Sequence, residues 1–111
     1  MDRPIRQVNM AGPPAPLSPE TERRLVALFP PNARAAATKL LTNECGTNLP
    51  FCKNYDEFQL ERIRFAALKL SKGDMGRFRA AIELAKVDWR DVLLQAGFAW
   101  RVDAYKKWFP E

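Results

Sequence analysis

The feature that most constrains this chain is its punctuation. From Ser18 onward, residues that start and stop helices recur at short intervals, and the apolar residues between them fall mainly at three- and four-residue spacing. Ser18 can cap the first free amides of a helix, Pro19 suits its first position, and Glu20 and Glu22 favour its positive end. Leu25, Val26, Leu28 and Phe29 supply an apolar side before Pro30-Pro31 stops it. Pro31 opens a second helix, with Ala33, Ala36, Ala37, Leu40 and Leu41 on one face and Gly46 to close it. Gly46, Asn48, Pro50 and Asn54 mark the stretch from about Cys45 to Tyr55 as loop.

Asp56 then starts the longest helix, which runs to about Ser71 and closes at Gly73. Asp74 caps a helix over 75–86 whose stripe is Met75, Phe78, Ala81, Ile82 and Ala85. Asp88 caps a short one over 89–96, with Asp91 three residues on, Val87 and Val92 spaced as a hydrophobic staple, and Gly97 with Phe98 as its closure. A last turn or two follows around Val102, Tyr105, Trp108 and Phe109, ended by Pro110. The expectation is an all-α fold, a compact bundle of five to six helices.

A chain of 111 residues suits one domain and is too short for two. Residues 1–17 hold four prolines and no periodicity, which predicts a flexible, disordered tail ahead of a single helical domain at 18–111. That tail reads either as a frayed terminus or as a short partner-binding segment. No apolar run approaches the roughly 20 residues of a membrane span. The first residues lack the apolar stretch of a secretory signal, so a cytoplasmic setting is expected.

Chemistry is constrained by what the chain lacks. There is no histidine, which removes the usual triad base, the commonest metal ligand and the near-neutral proton switch. Ser18 and Ser71 are the only serines, both at helix ends, and no glycine-rich phosphate loop occurs. Six residues separate Cys45 from Cys52, unlike the two-residue gap of redox and zinc motifs. Structural thiols, a loop disulfide, and metal or redox work are the three readings of that pair. Asp88 and Asp91 are explained by capping, and Glu57 with Glu61 by a solvated helix face beside Arg64. We expect no enzyme, no cofactor and no metal.

The net charge is +5, from 18 Lys plus Arg against 13 Asp plus Glu. That balance suits an acidic partner such as nucleic acid. Yet the bases are dispersed: residues 56–86 carry seven against five acids, and residues 88–111 balance at four each. Segments 75–86 and 89–96 meet too abruptly for a helix-turn-helix, and Asp88 and Asp91 set negative charge where phosphates would lie. A solvated, mixed surface is the better account, and weak nucleic-acid binding is the alternative.

Two places invite a protein partner. On the helix over 56–71, Leu60, Ile63, Ala66, Ala67 and Leu70 form one apolar arc, while Phe58 and Phe65 project from nearly the opposite side, edged by Arg62, Lys69 and Lys72. Such a helix is either central in its bundle or carries a partner site. Near the C-terminus Trp100, Tyr105, Trp108 and Phe109 crowd together around Lys106 and Lys107, as an interface would or as a closing helix on the core would. Phe58, Phe65, Trp100, Tyr105 and Trp108 are therefore the candidate partner-binding residues.

The segments Leu60–Ser71 (LERIRFAALKLS) and Asp88–Ala99 (DWRDVLLQAGFA), with Cys45-Gly46 and Leu49-Pro50-Phe51, resemble a group of small uncharacterised bacterial helical proteins. The resemblance covers about residues 20–110 and implies one compact domain in a bacterial cytosol. It supplies no activity and gives no residue a catalytic role. The functional expectation is a non-enzymatic helical module for protein–protein interaction or self-association.

Overall fold

The helix starts marked at Ser18, Pro31 and Asp74 are made as marked. In a computed structural model that describes residues 16–46, 49, 57–101 and 103–110, α1 (Pro19–Leu28) begins at Ser18, whose hydroxyl accepts the Thr21 amide at 3.1 Å. The Pro-rich stretch before residue 16, Asp56 and Cys52 lie outside the described residues. Pro31 opens α2 (Pro31–Glu44), which ends at Cys45. Arg34 of α2 reaches back across the prolines and donates to the carbonyls of Phe29 and Val26, satisfying the end of α1.

α3 (Glu57–Ser71) and α4 (Met75–Ala96) are joined by a tight turn. Lys72 and Gly73 both take positive φ there, 51° and 80°. A side chain on Gly73 would set its Cβ 2.5 Å from the Leu28 carbonyl oxygen, so the end of α1 rests on this turn. Asp74 accepts the Arg77 amide at 2.8 Å and so caps α4.

The fold is all-helical, with four α-helices and one 3-10 turn (Ala104–Lys107) among the described residues. The expectation of five to six helices holds only in its coarser, all-helical part: the fourth of these elements is two helical segments that meet at a kink at Asp88. Asp88 takes extended geometry (φ −152°, ψ 93°) and its carboxylate accepts the Arg90 amide at 3.2 Å, so it caps the 89–96 segment at a kink that divides α4. α3, 15 residues without a break, is therefore the longest uninterrupted helix among the described residues. Two expected details do not form. Val87 is 84% exposed while Val92 is buried, so they make no staple. Asp91 accepts instead from the Gln95 amide one turn on. The closure at Gly97 is as expected: φ is 82°, and the Phe98 amide donates to the Leu93 carbonyl at 2.8 Å.

The core is organised around α3. Ile63 to Leu68 are six consecutive buried residues, more than one and a half turns, so the middle of this helix is enclosed on every side. Leu60, Ile63, Ala66 and Ala67 share one core with Phe78, Ala81, Ile82 and Ala85 of α4. Small alanines on this arc let helices approach closely. Phe29, at the end of α1, meets Phe78 with ring centroids 5.2 Å apart.

Candidate functional site

Phe65 faces neither α4 nor open water, and Phe58 lies at the rim of the same side of α3. The chain returns after Gly97 and lays its C-terminal segment along that side of α3. Tyr105, fully buried, stands edge-on to both rings, 5.0 Å from Phe65 and 5.5 Å from Phe58. Trp108 adds an edge contact to Phe65 at 6.3 Å, and Phe98 closes the cluster against Tyr105 and Trp108. Each such pair contributes about 0.5–1.5 kcal/mol beyond its area. The two surfaces picked out in the sequence are therefore one internal contact.

This redistributes the five candidate residues. Phe65 and Tyr105 are closed off within the chain and present no surface to a partner. Trp108 is half-buried, and Phe58 keeps 36% of its surface exposed at the rim, under the Lys106 ammonium. Trp100 stands apart at 79% exposed.

The polar frame of this contact rests on residues that sequence reading passed over. Arg24 of α1 is buried, its guanidinium 4.3 Å from the Phe65 ring centre and 5.0 Å from that of Phe109. It donates to the carbonyls of Trp108 (3.0 Å), Lys106 (3.4 Å) and Glu20, and to the Glu20 carboxylate at 2.8 Å. That hydrogen bond, with the nearby charge of Arg23, holds the Glu20 carboxyl below the ordinary carboxylate range. Glu61 sits between layers, accepting from Ser18 at 2.5 Å and from the Tyr105 hydroxyl at 3.2 Å. The signal for Arg24 was a Glu20–Arg24 pair at i,i+4, which looks like any surface pair until the C-terminus folds over it.

Other bases behave alike. Arg62 donates to the Phe98 carbonyl at 2.7 Å and Lys69 to that of Ala96 at 2.8 Å, placing two cations on the negative end of α4. Buried Arg64 donates to the carbonyls of Cys45 and Pro16. Rather than coating a solvated mixed surface, these bases tie helix ends and connecting segments together. Lys86 joins Glu44 of α2 at 2.6 Å and Glu83 at 3.0 Å. Its hydrogen bond to Glu44, then that to Glu83, raises the Lys86 pKa above the ordinary lysine range against some desolvation.

Two further surface features remain. Val26 and Phe109, both more than 40% exposed, line a shallow apolar depression with Pro19 and Ala27. Among the described residues no group of three or more His, Cys, Asp or Glu could hold a metal ion. No described helix is long and apolar enough to cross a membrane. Comparisons with protein-family models, curated proteins and solved structures give no match to this chain.

Proposed function

We propose that this chain is a non-enzymatic helical module that works by binding a protein or a second copy of itself. The observation that carries the reading is the aromatic C-terminal segment, seated on α3 by side chains, with Trp100 left outside at 79% exposure. A large aromatic in water is a favoured interface anchor, since burying it contributes much area at small entropic cost. The apolar depression around Val26 lies on α1, where Phe109 of the C-terminal segment borders it, and extends the surface available. The bacterial, cytoplasmic setting implied by the sequence resemblance is part of this proposal.

The net charge of +5 gives less support to nucleic acid, because Arg24, Arg34, Arg62, Arg64 and Lys69 are committed to carbonyls of the chain itself. The test is light scattering after size exclusion on the full chain, together with capture of proteins on the immobilised chain. Self-association or a retained protein is expected, weakened by Trp100→Ala. A monomer at every concentration that retains nothing removes the reading.

A further inference from the structure

The C-terminal segment is held in the manner of a bound peptide. Among the described residues its backbone hydrogen bonds run within itself: Ala104 to Arg101, Lys106 to Asp103, Trp108 to Tyr105. What ties it to the helices is side chains. Tyr105 lies against Phe58 and Phe65, its hydroxyl donates to Glu61, and Arg24 donates to the carbonyls of Lys106 and Trp108. Lys106 lines one cleft with Glu20, Arg24, Glu61 and Phe65, where two carboxylates stand against one groove cation. Phe98, by contrast, stays with the helical body through Arg62 and its amide bond to Leu93. Between body and segment, Ala99, Trp100 and Arg101 are all exposed and form no helix.

We infer that the groove between α1 and α3 accepts the 103–110 segment of a second copy of this chain, so that two copies exchange segments and close into a symmetric pair. The inference rests on the interaction-module reading and names its partner. Each tie just described joins the segment to α1 or α3, so each forms in the same geometry whether the two belong to one copy or two. Exchange therefore preserves every segment–groove bond, and the balance between single and paired chains is set by the connecting residues and by concentration. The exposed Ala99–Arg101 connection has only to straighten. Pairing also brings the two connections together, and Trp100 gains apolar cover there.

The deciding variant shortens the connection. Deleting Ala99 and Arg101 keeps Trp100, leaves segment and groove intact, and stops a copy from reaching its own groove. The paired fraction at a given concentration is expected to rise at least about tenfold, read by light scattering. Adding Tyr105→Ala to that deletion is expected to abolish pairing. A deletion variant with wild-type helical circular dichroism that stays monomeric overturns the proposal, as does one that pairs equally well without Tyr105. If the deletion prevents folding, the wild type decides across a wide concentration range: pairing that Tyr105→Phe weakens supports exchange, and a monomer throughout overturns it. Capture of another protein by a monomeric chain would sink the exchange while leaving the module reading in place.

Discussion

The two sides of α3 are buried by different means. On one, Leu60, Ile63, Ala66 and Ala67 share a core with α4, whose two helical segments meet at the Asp88 kink. On the other, Phe58 and Phe65 are covered by a segment with a single 3-10 turn, held by aromatic edges and the Arg24 fork. Both sides exclude water. They differ in what happens when a contact is lost. The helical side has no way to open short of unfolding, whereas the C-terminal side can leave as a unit.

Ile63→Ala probes the first side and carries the largest expected effect. It leaves a void in a fully buried position, at a cost of about 2–4 kcal/mol. Thermal denaturation followed by circular dichroism is expected to show one transition, shifted down. A second transition would show that the α4 side also opens separately and would break the comparison. Arg24→Ala probes the other side. It removes charged donors from two segment carbonyls and the stack on Phe65, at about 2 kcal/mol. Here the expected response is local: hydrogen exchange quickens at residues 104–108 while α3 and α4 keep their protection. Uniform loss of protection would place the segment in the same cooperative unit as the helices.

The sequence made the helical side legible and the other only half so. Caps at Ser18, Asp74 and Gly97 act within a few residues of themselves, so local chemistry identifies them. The apolar arc of α3 likewise declares itself by period alone. Phe58 and Phe65 were visible as a second face, and Tyr105 and Trp108 as an aromatic cluster. That they meet depends on the return after Gly97, a contact some forty residues distant in sequence that no local pattern encodes. Arg24 was harder still, because its role depends on carbonyls of an irregular segment more than eighty residues away. Asp88 was legible for the same local reason as the caps: its extended backbone and its bond from the Arg90 amide start the 89–96 segment at the kink in α4.

Tyr105→Phe sharpens the comparison at smaller scale. It keeps the ring between Phe58 and Phe65 and removes only the hydroxyl that donates to Glu61 at 3.2 Å. The expected loss is about 1 kcal/mol, appearing as faster segment exchange without any change in helical content. If Tyr105→Phe matches Arg24→Ala in effect, the polar tie rather than the aromatic contact holds the segment.

The smallest effects come from pH, and they separate the two sides by sign. Lys86, which links α2 to α4, has its pKa raised chiefly by the hydrogen bond to Glu44. Its contribution is fully present at neutral pH and is lost as pH rises through the raised value, when the folded amine deprotonates. Glu20 has its pKa lowered chiefly by the hydrogen bond from Arg24. That contribution is present at neutral pH and is lost as pH falls through the lowered value, which takes one partner from the arginine that holds the segment. Lys86→Gln is thus expected to cost about 0.5–1 kcal/mol near neutrality and nothing in strong alkali. Glu20→Gln is expected to quicken segment exchange near neutrality and to match the wild type in strong acid. Equal sensitivity of both regions at both extremes would mean that titration reaches them through the whole fold, and the distinction between the sides of α3 would not extend to their charges.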